Sequence, residues 1–454
     1  MNLINKKFLA LFLTSASVFA VAAQESNTGY FNDNYQMRWQ MNPAMGNRNG
    51  YVGFPGLGNL NVGVNGNVNV TDLVYSYGGK TVLFTNPNIS AQEVLGNLHD
   101  KNRISQSANI NILQVGFKAF GGYNNVAINV RNTASFDLPK SIFSLLKEGL
   151  SNQTYDIKDL RVKANAYAEL ALNHSRDIKQ VPGLRAGVSL KFLLPVAMAE
   201  AKFNQLELEL GENNWYARSN AEMKLAMKGL RYETDVNDRT GNRYVSGVNG
   251  DDIGFGINGF GFGIDLGALY EWKDFTFSLA LSDLGMVNFN SVQLASTNGT
   301  KTFETAANPI GVGDDGDSWD SFVDNLSPLY ELSDMGDSGS SKMGLEGKLR
   351  VGVDYKLPYY DKLHFGLMNT TNLSSIFPMT EFRLSANVEP VKGVAASVSA
   401  AAGTYGATYG FLLSLGNKGF NFVLGMDYAH IKMDKNHIPL TSNADFHMGI
   451  TFPF

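Results

Sequence analysis

The chain has 454 residues, 44% hydrophobic and 17% charged, with 47 glycines, 29 phenylalanines, 19 tyrosines, no cysteine and a formal net charge of −5. The lack of cysteine excludes a lipidated thiol, a disulfide framework and thiolate metal sites, and the acidic balance argues against nucleic acid, which needs a basic patch. A mean hydropathy of −0.13 suits a soluble protein, and equally a membrane barrel in which only alternate residues meet lipid.

Lys6 and Lys7, the uncharged apolar run from Phe8 to Val21 and the small residues Ala20 to Ala23 form the pattern of a secretory signal peptide. It spans residues 1–23 and is cleaved before Gln24 or one residue earlier. The run is shorter than the roughly 20 residues of a spanning helix. Without the two lysines the net charge becomes −7. No later apolar stretch could span as a helix, so the membrane reading rests on strand periodicity.

From residue 51 to 454 the chain reads as strands. They are expected to start near residues 51, 107, 123, 159, 183, 199, 216, 258, 275, 345, 362, 379, 393, 406, 419 and 443. That makes sixteen, with fourteen allowed because 183–215 divides ambiguously. Ser90-Ala91-Gln92-Glu93 is a capping box opening a helix, and Asp137 with Pro139 starts a second, whose apolar face is Ile142, Phe143, Leu145 and Leu146. Both are expected to lie over a barrel mouth.

Leu160, Val162, Ala164, Ala166, Ala168 and Leu170 alternate with Arg161, Lys163, Asn165, Tyr167 and Glu169, and Leu184 to Leu194 interleaves Arg185, Ser189 and Lys191. Gly254-Phe-Gly256-Ile-Asn-Gly259 has the spacing of a dinucleotide fingerprint but no strand–turn–helix context, and reads as strand. Phe260 to Trp272 and Phe275 to Ser282 alternate on either side of the turn Lys273-Asp274, the strongest hairpin in the chain. Later runs interleave Arg350 and Asp354, then Arg383, then Asp427. The short turns near 121–122, 273–274, 358–361, 390–393 and 416–419 fall at the end that holds both termini. The long connections 71–106, 135–158, 232–257 and 285–344 fall at the other, as in outer-membrane barrels.

A charge facing lipid costs about 2–4 kcal/mol at mid-membrane. Arg161, Lys163, Glu169, Arg185, Lys191, Asp265, Glu271, Arg350, Asp354, Arg383 and Asp427 are therefore expected to face the lumen, with Glu207, Glu209, Glu222, Lys224 and Lys228. They imply either a polar lumen that selects what passes or a self-neutralising network that fills it. Asp314, Asp315, Asp317, Asp320 and Asp324 could hold calcium or form a solvated acidic loop. His99, His174, His364, His430, His437 and His447 show no metal-ligand spacing, and no serine motif supplies a nucleophile. The reading is of a protein that is not an enzyme, with no cofactor and no metal.

Phe446, Met448, Ile450, Phe452 and Phe454 alternate to a terminal aromatic residue. This resembles the signal that the barrel-assembly machinery recognises on outer-membrane barrels. Pro453 lacks an N–H, so pairing is expected to stop one or two residues early. The fold class implied is all-β, a transmembrane antiparallel up-and-down β-barrel of 14–16 strands with short loop helices, set in the outer-membrane lipid of a Gram-negative cell.

Asn42-Pro43-Ala44, shortly after the signal peptide, resembles the N-terminal hatch of FadL-type long-chain fatty-acid channels and of the related barrels that act as secretion-system shuttles. Phe54-Pro55-Gly56, Phe136 to Lys140 with Gly149, and the pair Asp265-Leu-Gly267 and Asp283-Leu-Gly285 are similar to one uncharacterised branch of that group. The resemblance implies a hatch over residues 24–50 that partly plugs the barrel, and uptake of a hydrophobic or amphipathic small molecule. The alternative is a closed barrel whose outer loops bind a secreted or surface protein.

Overall fold

The computed structural model describes residues 26–148, 154–210, 215–236, 241, 243–249, 252–254, 256–304, 331–417, 419–428 and 443–454. The expected signal peptide, Gly149, His430, His437 and the acidic cluster Asp314 to Asp324 lie outside them. The described residues form one closed antiparallel barrel of 14 strands.

Strand β1 is built from two pieces, Tyr51–Gly53 and Leu60–Gly66. It is followed by β2 (Lys101–Ala119), β3 (Gly122–Pro139), β4 (Leu160–Asp177) and β5 (Leu184–Leu210). Next come β6 (Gly259–Trp272), β7 (Phe275–Phe289), β8 (Lys348–Lys356), β9 (Leu363–Asn372) and β10 (Met379–Val391). The circuit ends with β11 (Val394–Gly403), β12 (Gly406–Asn417), β13 (Phe420–Met426) and β14 (Ala444–Pro453). Each strand pairs with the next, and β14 closes on both pieces of β1.

Alternation builds the wall as anticipated. Val126, Ile128, Leu170, Leu172, Phe262, Phe277, Leu279, Val351, Leu367, Leu384 and Phe411 stand exposed on the outer face as an apolar belt. Their neighbours in sequence, among them Ala127, Ala171, Gly263, Ser278 and Arg383, are buried inside. Short turns gather at the lower rim with residue 51 and Phe454. One is Phe120-Gly121, where both φ values are positive (56° and 72°), the geometry that matches strand twist in a tight hairpin.

Two of the sixteen expected strands are not separate staves. The segments from 183 and 199 form the single 27-residue strand β5. Pro195 does not break it, because the register slips there between Ala166/Ala197 and Tyr167/Pro195, and a bulge tolerates a residue with no N–H. Trp215–Met227 pairs with the upper half of β5 while β6 pairs with the lower half, so the two share one stave. Residues 256–258, read as part of a strand, precede β6 rather than belong to it.

The wall is also uneven. Strands β2 to β5 run 18 to 27 residues, against the roughly 9–11 that cross a bilayer. Beyond the belt, the outer face of this tall side is covered by chain: Leu160, Val162, Ala164 and Phe203 pack in one core with Tyr232, Val245 and Leu332. The hairpin Arg231–Val236 with Arg243–Asn249 supplies part of that cover. Helix α1 (Ala91–Asn97) is capped by Ser90, whose hydroxyl accepts the Glu93 N–H at 3.1 Å. Helix α2 (Lys140–Glu148) starts later than expected, since Asp137 and Pro139 are still strand and Asp137 pairs with Arg103. Phe143 of α2 packs with Val94 and Leu98.

At the C-terminus Phe446, Phe452 and Phe454 are exposed, and Met448 and Ile450 alternate with buried Asp445, His447, Gly449 and Thr451. Pairing does not stop early. Pro453 sits opposite Tyr51, and the Phe454 N–H donates to the Gly50 carbonyl at 2.9 Å, so the missing donor is passed over.

Candidate functional site

Residues 26–47 pack against inward-facing side chains of the wall, while Asp33, Arg48 and Asn49 are exposed at the lower rim. The segment is a chain of turns with one 3₁₀ turn, Gln36–Gln40, and Tyr30, Phe31, Tyr35, Met37, Trp39, Met41 and Met45 are all buried. All but Trp39 pack with wall residues Tyr51, Tyr123, Met368, Leu412 and Val423, and Trp39 packs on Ala127 and Ala171.

Wall side chains grip its backbone at several points. Asp427 accepts the N–H groups of Asn27 and Thr28 at 2.5 and 2.7 Å. Arg383 donates to the Thr28 hydroxyl at 3.2 Å, and Thr28 also meets Ser399 at 2.7 Å. Arg350 donates to the Met41 carbonyl, Asn173 to that of Pro43 at 3.0 Å, and Arg185 to that of Ala44 at 2.9 Å. Asn42 and Ala44 are fully buried. They press on Gly187 and Gly267, cross-strand partners whose added Cβ atoms would collide with Pro43 and Asn42. Glycine is required there because backbone meets backbone. At the lower rim burial pushes the Asp33 carboxyl up, but Arg38 (2.8 Å) and Arg48 (3.0 Å) outweigh it and hold it below the usual carboxylate range.

Two buried ionic networks line the wall. In the first, Arg131 forms two hydrogen bonds with Asp283 (2.8 and 3.0 Å) and pairs with Glu169 at 2.9 Å. Lys191 bridges Asp283 and Asp265 at 2.7 and 2.8 Å. The pair of Asp-Leu-Gly motifs meets here, since Asp265 accepts the N–H of Asp283, which takes a positive φ at a bulge. In the second network Arg383 pairs with Glu381 at 2.9 Å, and His447 with Asp445 at 2.7 Å. Asp427 lies 4.0 Å from both Arg383 and His447, and Asp445 accepts the N–H groups of Asp427 and Tyr428. Asp427, Asp445 and His447 are close enough to hold a metal ion, but both Asp427 oxygens and both His447 nitrogens already have protein partners.

Further inward-facing residues, Tyr167, Leu193, Met198, Val287, Phe289 and Met343, form an apolar cluster. It neighbours the first network along β4, β5 and β7.

Of the expected lumen residues, Glu169, Lys191, Asp265, Arg350, Arg383 and Asp427 are buried. Arg185 reaches the segment, and Asp354 pairs with His364 at 2.8 Å. Arg161 and Lys163 are partly exposed toward the upper end of β4, where Lys163 donates to the Gly344 carbonyl. Glu271 is exposed beside the Lys273 turn and joins neither network. Sequence reasoning left Arg131, Asp283, Glu381 and Asp445 out of the lumen set. Parity along β3, β10 and β14 marks three of them; Asp283 hides in a bulge that shifts parity.

A family model described as a family of unknown function (DUF5723) matches residues 43–427. No curated protein matches the chain. Among solved structures, a TodX deltaS2S3 mutant monoaromatic hydrocarbon channel aligns over 96% of this chain and 95% of its own, at 9% identity and a TM-score of 0.41. The Pseudomonas putida toluene transporter TodX aligns over 96% and 94%, at 8% identity and 0.38. The translocator domain of the autotransporter NalP from Neisseria meningitidis aligns over 90% and 89%, at 8% identity and 0.32.

Proposed function

The chain belongs to the DUF5723 family, and we propose that it is an outer-membrane channel for hydrophobic or amphipathic small molecules, closed by its own N-terminal segment. The observation that carries this reading is the seating of residues 26–50. Residues 26–49 meet inner-face side chains through hydrogen bonds and apolar packing, with no strand pairing to the wall, which supports a removable plug. A piece held this way can leave without opening the barrel. Departure would uncover Tyr51, Tyr123, Met368, Leu412 and Val423, next to a lumen that already carries the Phe289 and Met343 cluster. Barrel lumens are ordinarily polar, so apolar surface on this scale suits an apolar solute. Asn42, Pro43 and Ala44 would be the hatch contact. Signal cleavage after residue 23 and the Phe446 to Phe454 strand would deliver the chain to the outer membrane.

Deleting residues 26–48 should raise single-channel conductance in planar bilayers and speed entry of an aromatic hydrocarbon into proteoliposomes. Unchanged conductance and uptake in a folded deletion variant would sink the proposal. A second reading, a closed barrel that binds a secreted or surface protein, draws on the tall wall of β2 to β5 and its covering hairpin. It requires a stoichiometric partner in affinity isolation from solubilised membranes.

A further inference from the structure

The second ionic network sits where the N-terminal segment begins. Asp427 and Asp445 stand at the upper ends of β13 and β14, whereas Gly50 and Phe454 meet at the lower rim. The segment therefore runs from high in the barrel down to the rim where β1 starts. Ser26 and Thr28 are 0% exposed and Asn27 is 3% exposed. The Ser26 hydroxyl donates to Asp427 at 3.5 Å, beside the two N–H groups of Asn27 and Thr28 on the same carboxylate.

This network is short of positive charge. Three carboxylates, Glu381, Asp427 and Asp445, meet one arginine, Arg383, and one histidine, His447. The sum stays negative whether or not the imidazole is protonated, and buried carboxylates need cationic partners. Beside Glu381 and Tyr428 lies a cavity with room for a group of about water size, lined also by Thr408 and Asn443. Thr408 is 5% exposed, and its hydroxyl has no hydrogen-bond partner among the described residues. Arg383 ties the cavity to the segment, since it donates to both Glu381 and Thr28.

Signal cleavage before Gln24, or one residue earlier, creates a cation two or three residues from Ser26. A residue spans at most about 3.6 Å, so the new α-ammonium is tethered within roughly 11 Å of Ser26. We propose that the α-ammonium of the mature chain docks in this cavity against Glu381 and the Thr408 hydroxyl, and that seating of the N-terminal segment is thereby conditional on removal of the signal peptide. An ammonium brings three N–H donors and a full charge, which the cavity and the network lack. Before cleavage the same residues continue into the apolar run from Phe8 to Val21, which suits neither a charged network nor a cavity of this size. The inference rests on cleavage at that site and not on what the channel passes.

The test uses the mature chain, purified from outer membranes, with Thr28→Cys and Ser399→Cys. The chain has no other cysteine, and the two side chains are in contact, so oxidation pins the segment. The disulfide equilibrium in glutathione buffer then reads how firmly the segment is seated, and intact mass fixes the first residue. One sample is cyclised at Gln24 by glutaminyl cyclase in urea and refolded, which removes the charge of the amine. A second variant carries Gly-Ser inserted before Gln24, which moves the amine about 7 Å away and covers the case in which refolding fails. Both should lower the equilibrium constant by roughly tenfold, the worth of one charge-assisted hydrogen bond. Glu381→Gln should lower it as much and leave cyclisation or insertion with no further effect. An unchanged constant in both altered chains, or the same loss with Glu381→Gln present, would overturn the proposal. So would an intact mass showing a first residue beyond Ser26. Apolar uptake by the reduced and oxidised forms reports separately on the hatch.

Discussion

The two ionic networks have similar members and different attachments. Arg131, Glu169, Lys191, Asp265 and Asp283 join five successive staves, β3 to β7, through ion pairs with one another. Arg383, Glu381, Asp427, Asp445 and His447 sit on the opposite side of the circuit and spend part of their hydrogen-bonding capacity on Asn27 and Thr28. The first network fastens wall to wall, and the second fastens wall to segment. Buried charge therefore acts as construction in one place and as a latch in the other.

The contrast is sharpest if each network is broken alone. Lys191→Met should destabilise the barrel most, by about 3–5 kcal/mol, because it strands Asp265 and leaves Asp283 with one cation. Heat-modifiable gel migration should report a lower unfolding temperature, while disulfide formation between residues 28 and 399 proceeds as before. Asp427→Asn should cost the segment about 2–3 kcal/mol through two weakened charge-assisted hydrogen bonds. Amide exchange at residues 26–28 should accelerate with little change in barrel melting. Gly267→Val, a wedge against Asn42 and Pro43, should cost about 1–2 kcal/mol by overpacking and raise protease access to residues 40–46.

Asp33→Asn should have the smallest effect, at most about 1 kcal/mol, since Asp33 is 47% exposed and solvent screens its arginines. A carboxyl held below its ordinary value stabilises fully above the unfolded-chain value near ~4, and the contribution fades as pH falls through the lower folded value. Docking at this rim should therefore be flat from pH 8 to pH 5, as read by amide exchange, and loosen only in stronger acid.

Much of the barrel is legible because lipid enforces alternation. The strands from Phe260 to Ser282 and from Phe446 to Phe454 fall where the pattern puts them. The parts that were illegible lie where lipid exerts no such constraint. Lys101 to Gln106 is strand above the belt with no apolar alternation, so it reads as loop. The strands expected from 183 and 199 are one, because the bulge that carries the chain through Pro195 is invisible in one strand alone. In the site, the charges at Arg350, Arg383 and Asp427 follow from parity, but their use does not: whether an inward charge meets another charge or the backbone of residues 26–44 depends on how a turn-rich segment with no periodicity packs.

The central claim is that residues 26–50 close a path for apolar molecules, and pinning them tests it most directly. In proteoliposomes holding the Thr28→Cys, Ser399→Cys protein, uptake of an aromatic hydrocarbon should stop when the disulfide forms and return on reduction. Equal uptake in the oxidised and reduced states, with the disulfide verified, would contradict the account.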